Sequence, residues 1–129
     1  MKKILLSSDC NGNFDKIFAK VADLHAKNSF DFMLMVGNVC PSEAADKIKA
    51  LHEERIAVPL PVYFIDSSDM GGVFSSMYPE GKEIIRNFHF LGRMGIKEVQ
   101  GIRIGFANGV CTSRHIENGG YKGKFYSRK

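Results

Sequence analysis

The chain has 129 residues, 44% hydrophobic and 25% charged, which fits one globular domain and excludes a disordered chain, a collagen or a coiled coil. Its net charge of +4 sits at one end: from Arg114 onward, five basic residues (Arg114, Lys122, Lys124, Arg128 and Lys129) stand against one acid, Glu117. No apolar run reaches the ~18 residues of a membrane-spanning helix, so no membrane partner is expected.

The start, Met1-Lys2-Lys3-Ile4-Leu5-Leu6, is basic and then apolar, as a leader peptide is, but Asp9 ends the run with no cleavage site after it. Ile4-Leu5-Leu6 therefore reads as a first strand buried on both faces, as in a parallel or mixed sheet. Asn11-Gly12-Asn13 is a turn, with Asn13 as the expected N-cap of a helix. Phe14, Ile17, Phe18, Val21 and Leu24 follow at spacings of three and four and make one apolar stripe. Phe32 to Val36 is a second buried strand, ending at Gly37-Asn38. Pro41-Ser42 opens a second helix, with Ala45, Ile48 and Leu51 expected inward. Pro59 and Pro61 precede a third strand, Val62 to Ile65. Strand, helix, strand, helix, strand predicts an α/β fold with a mixed, mainly parallel sheet.

The second half reads differently. Ser67 to Gly72 is expected to be a loop and Glu80 to Arg86 a short helical piece. Phe88 to Leu91, Gly95 to Val99 and Ile102 to Ala107 then read as an antiparallel meander, with Gln100-Gly101 as a two-residue hairpin turn. Residues 1–110 form one expected domain and residues 111–129 a basic, Gly-rich tail. That tail, with Tyr121, Phe125 and Tyr126 among its charges, reads either as a flexible end or as a segment that touches nucleic acid.

Cys10, Cys40 and Cys111 are too widely spaced for a zinc motif, and an odd count makes no disulfide framework. Cys10, just before a helix, reads as a small apolar filler or as an activated thiol. His25, His52, His89 and His115 all fall away from the expected strand ends and read as structural or solvated. No P-loop, dinucleotide fingerprint or nucleophile elbow is present.

In open α/β sheets ligands bind beyond the carboxyl ends of the strands. Here those ends carry Asp9-Cys10-Asn11, Gly37-Asn38, Asp66-Ser67-Ser68-Asp69 and Asn108-Gly109. The order of these blocks resembles the calcineurin-like metallophosphoesterases, which read Asp-x-His, Gly-Asp-x-x-Asp and Gly-Asn-His-Asp/Glu. Within that fold the sequence looks most like the N-terminal domain of the CwfJ-like splicing-associated proteins, relatives of the lariat-debranching enzyme. Lys3-Ile4-Leu5, the run Asp9 to Asp15, and Phe30-Asp31 through Val36-Gly37-Asn38 carry that likeness. The later histidine motifs of the family are missing, so the resemblance implies a domain incomplete on its C-terminal side.

The resemblance also implies a two-metal site, in which cations about 3.5–4 Å apart clamp a phosphate. Residue by residue, Asp9 matches the first aspartate, while Asn11 replaces the first histidine and Asn38 the bridging aspartate. Ser67 and Ser68 replace the Asn-His pair, and Asp69 matches the acid after it. One strong ligand in five survives, too few for tight binding of two metals. The resemblance therefore implies a vestigial edge at Asp9, Asn11, Asn38, Ser67, Ser68 and Asp69, with no catalytic residue and no cofactor. On this reading the chain is a nuclear scaffold for splicing or debranching proteins and RNA. Two alternatives to that role stay open, a weak phosphoesterase using manganese, magnesium or zinc and a small nucleotide- or flavin-binding domain; the alternative location is the cytoplasm.

Overall fold

A computed structural model describes residues 1–109. The basic tail, with Cys111 and His115, lies outside the described residues. Five strands form the main sheet: β1 (Ile4–Ser8), β2 (Phe32–Val36), β3 (Val62–Phe64), β4 (Lys82–Ile85) and β5 (Phe88–Phe90), in the order β1-β2-β3-β5-β4. All neighbours are parallel except β4, which runs antiparallel to β5. A separate antiparallel hairpin, β6 (Met94–Val99) and β7 (Ile102–Ala107), makes a second sheet. Gln100 (φ 50°) and Gly101 (φ 85°) both adopt left-handed backbone at its tip, the conformation a two-residue hairpin of this kind requires.

Three helices connect the strands: α1 (Phe14–Asn28), α2 (Ala45–His52) and α3 (Asp69–Met77). Their apolar sides share one core with a single face of the sheet. Phe14, Phe18 and Val21 of α1, Leu51 of α2 and Phe74 of α3 cluster with Met33, Met35, Val62, Phe64, Phe88 and Phe90. The strand residues in that set alternate along each strand, so they project to one side. Phe64 and Phe88 stack at 4.4 Å, and Phe14 meets Phe88 edge-on at 5.6 Å. On the opposite face Tyr63 stacks on His89 at 4.6 Å, and the hairpin's Lys97, Val99 and Gln100 line a shared cleft with them.

Several expectations are corrected. The first strand is not buried on both faces: β1 is a sheet edge, and Leu6 is 71% exposed. Asn13 stands at the cap position, but its side chain makes no capping bond. The second helix begins with a single 3-10 turn at Ser42–Ala44, and Ala45 is exposed while Ala50 packs inward. The stretch expected to be a loop from Ser67 to Gly72 instead enters α3. Its two glycines, poor helix formers, mask the signal, yet a Cβ at Gly71 would overlap the Asp66 carbonyl oxygen. The expected helical piece at 80–86 is a turn and strand β4, because its residues pair with β5. Phe88 to Phe90 belongs to the main sheet, so the meander is reduced to a hairpin.

Candidate functional site at the carboxyl edge of the sheet

Three of the sheet's parallel strands end in loops that are hydrogen-bonded to one another. After β1, Asp9 takes a left-handed backbone (φ 52°), and its amide extends the ladder to the Val36 carbonyl at 3.1 Å. Its carboxylate turns back along the edge and accepts the Asn38 amide at 2.9 Å. Gly37 makes this possible: its φ is 75°, and a Cβ there would overlap the Asp9 carboxylate. Asn11, also left-handed (φ 53°), donates its amide to the Asn38 carbonyl at 2.9 Å and its side-chain amide to the Asp9 carbonyl at 2.9 Å. From the third loop the Ser67 hydroxyl donates to the Asn38 side-chain oxygen at 3.2 Å. Asp9, Asn11, Asn38 and Ser67 thus form one surface group.

Ser68 and Asp69 do not join it. The Ser68 hydroxyl points down to the Cys40 carbonyl at 2.8 Å. Asp69 receives the hydroxyl of Ser42 and, at 3.0 Å, its amide. Those two bonds, the hydroxyl's first, hold the Asp69 carboxyl below its usual range.

Beneath the surface group lies a carboxylate to which sequence reasoning assigns no role. Asp66 is 1% exposed. One carboxylate oxygen accepts the amides of Val39 (2.9 Å) and Ser68 (3.0 Å), and the other accepts that of Cys40 (3.2 Å). Its own amide donates to the side chain of buried Asn108, whose amide nitrogen reaches the Gly71 carbonyl at 3.1 Å. Asp66 and Asn108 therefore tie the β2 and β3 loops, α3 and the end of the hairpin into one knot. Their position at strand ends is visible in the sequence; their burial is not.

Cys10 packs here too, its thiol 3.4 Å from the Val39 carbonyl. Burial pushes the thiols of Cys10 and, more strongly, Cys40 above the ordinary cysteine range. That is the opposite of what an activated thiolate requires. The described histidines lie elsewhere. His25 accepts the Phe30 amide at 3.0 Å, His52 closes α2, and His89 stacks on Tyr63.

Among the described residues, those at this edge do not fit a pair of metal ions. Asp9 supplies the surface group's sole carboxylate. Asp66 spends its oxygens on three backbone amides, and Asp69 spends both of its own on Ser42. Among the described residues, no three His, Cys, Asp or Glu side chains converge where they could hold an ion.

No protein-family model matches the chain. It is similar to the lariat debranching enzyme of Saccharomyces cerevisiae, with 21% identity over 123 residues, covering 84% of this chain and 30% of that protein. It is similar also to the CWF19-like protein mug161 of Schizosaccharomyces pombe, 29% identical over 97 residues, covering 71% of this chain and 17% of the relative. The CWF19-like protein 1 of Pongo abelii is 27% identical over 95 residues, covering 73% and 18% respectively. The chain thus spans less than a third of each of these relatives. The mainly parallel sheet and separate hairpin are consistent with a metallophosphoesterase-like fold, and the sequence likenesses point the same way.

Proposed function

We propose that this chain is a non-catalytic relative of the lariat debranching enzyme. It serves as a nuclear scaffold for protein or RNA partners in splicing or lariat turnover. The observation that supports this most is the chemistry of the carboxyl edge. Where a phosphoesterase gathers carboxylates and imidazoles around cations, this chain gathers two asparagines, a serine and one aspartate. Their donors and acceptors are turned on each other. An amide oxygen is a weak, neutral ligand, and a second dication beside the first needs negative charge between them. Asn38 supplies none.

Calorimetric titration of manganese into the metal-free protein, with a phosphodiester hydrolysis assay alongside, tests this. No binding heat up to millimolar metal, and no hydrolysis, is the expected result. Two micromolar sites, with hydrolysis that disappears in Asp9→Ala, would replace the scaffold by a weak phosphoesterase built on Asp9, Asn11, Asn38 and Asp69. In that case Asn38→Asp, by restoring the bridging charge, raises the rate.

A further inference from the structure

We infer that Arg93 and Ser75 form a site for a phosphate oxyanion beside the Asp66–Asn108 knot, one that needs neither a metal nor the scaffold role proposed above. Among the described residues, the Ser75 hydroxyl and the Arg93 Nε–H are the two buried side-chain groups without a hydrogen-bond partner. Both belong to one neighbourhood. The Arg93 backbone is pinned on two sides: its amide donates to the Pro79 carbonyl at 2.9 Å, just past α3, and its carbonyl accepts the Asn108 amide at 2.7 Å. The second bond continues the pairing of Met94 with Ala107, so Arg93 stands opposite Asn108. Opposite residues of an antiparallel pair share a face, and successive residues alternate between faces. Met94 points out at 55% exposure, so Arg93 and the buried Asn108 point in. The Asn108 side chain then reaches the Gly71 carbonyl at 3.1 Å. Ser75 stands one turn after Gly71 on the same face of α3 and is 0% exposed.

A buried donor without an acceptor is destabilising, and a largely covered guanidinium without a counter-charge is more so. Among the described residues, no carboxylate forms an ion pair with Arg93. Asp66, close by, spends its oxygens on three backbone amides. Asn108 is committed too, its oxygen to the Asp66 amide and its nitrogen to Gly71. These two residues form the wall of the site and leave the binding to Arg93 and Ser75. A water would accept from the donors but leave the charge uncompensated. Phosphate does both. The guanidinium fork matches two phosphate oxygens, and the Ser75 hydroxyl donates to a third, which a carboxylate does not have. Arg93 is only partly buried, so the anion can reach it from solvent.

Inorganic phosphate, added to the full chain at neutral pH, is expected to raise the melting temperature saturably when compared with sodium chloride of equal ionic strength. It should also shift the Arg93 Nε–H resonance. Arg93→Met should abolish the stabilisation. Arg93→Lys keeps the charge without the fork and should weaken binding about tenfold. Ser75→Ala removes one donor and should weaken it about fivefold. Circular dichroism shows which variants are folded; should Arg93→Met not be, the other two carry the comparison. Displacement of phosphate by a 5′-phosphorylated oligoribonucleotide, but not by its hydroxyl-ended counterpart, assigns the site to a nucleic-acid phosphate. Displacement by neither assigns it to the free ion or a small phosphate ester. No saturable stabilisation, or one unchanged in the folded Arg93 variants, overturns the proposal. So does an Arg93 Nε–H that is protected in phosphate-free buffer and loses that protection in Glu117→Gln, since an acid of the same chain would then fill the site.

Discussion

The two faces of the main sheet are built differently. Toward the helices, Phe64, Phe88 and Phe90 are at most 2% exposed and lock into Phe14, Phe18 and Phe74 through ring contacts of 5.6–6.3 Å. Toward the hairpin, Phe32 is buried and Tyr63 half-buried, but Leu6 and Val36 on the same face meet solvent. The hairpin repeats the asymmetry on a smaller scale: Val99 points in at 5% exposure, while Met94 and Ile96 point out at 55% and 64%. Hydrophobic stabilisation follows area removed from water, so the helical face carries the fold. Among the described residues, the other face and the strand edge are less fully covered. The carboxyl edge lies between these regimes, polar on top and closed beneath by Asp66.

The sharpest break of this contrast is at Phe88, which touches Phe14, Phe18 and Phe64. Phe88→Ala is expected to cost about 3–5 kcal/mol in denaturant unfolding, the range for deleting a fully buried aromatic side chain. A loss near 1 kcal/mol would mean that the helical face repacks easily and is not the seat of stability. Next comes Asp66→Ala. It leaves the amides of Val39, Cys40 and Ser68 without an acceptor, at about 1–3 kcal/mol for each buried group left unmade. A total near 3 kcal/mol is expected, with water relieving part of it. A cost under 1 kcal/mol would show that the knot does not hold the edge together.

These two sites also mark how far the sequence can be read. The apolar spacing of α1 and the runs of β2 and β3 are legible because a stripe or a run of apolar residues must be buried against something. The hairpin is legible because Gln100-Gly101 suits left-handed backbone. The order of polar strand ends, and with it the family resemblance, is legible for the same reason: loops keep their chemistry in short blocks. What escapes is decided by neighbours far along the chain. Whether Leu6 is covered depends on which strand lies beside β1. Whether 80–86 is helix or strand depends on pairing with β5. That Asp66 is a buried anchor, while Asp9 stays at the surface, depends on three amides from a loop 26 and 27 residues earlier and from Ser68.

A smaller effect separates the faces by pH. Burial lowers the His89 imidazole below its ordinary value, and the Glu83 carboxylate 3.6 Å away partly opposes that. The native state thus prefers neutral His89, while the unfolded chain takes up a proton near pH 6.5. The sign follows by linkage: the contribution is fully present above about pH 6.5 and fades as the pH falls through that value toward the lower folded one. Compared with His89→Phe, which keeps the stack on Tyr63 but cannot titrate, the parent chain should lose stability between pH 7.5 and 5. The loss should be small, since the ring is partly exposed and water screens it. Glu83→Gln should enlarge it. A gain toward acid would mean that the Glu83 pair outweighs burial.

The smallest effect belongs to the outer face of the hairpin. Ile96 lies opposite Gly105 and is 64% exposed, so it gives up little of its apolar area on folding. Threonine keeps the β-branched shape that strands accept, and Ile96→Thr is expected to change stability by no more than about 0.5 kcal/mol. Dilute protein is the right condition, because any association would add its own contribution to the measured unfolding free energy. A loss above about 1 kcal/mol that persists on dilution would show that Ile96 is covered within the chain. The two faces would then differ less than their packing indicates, and the hairpin would be the inner layer of a core, not its outer wall.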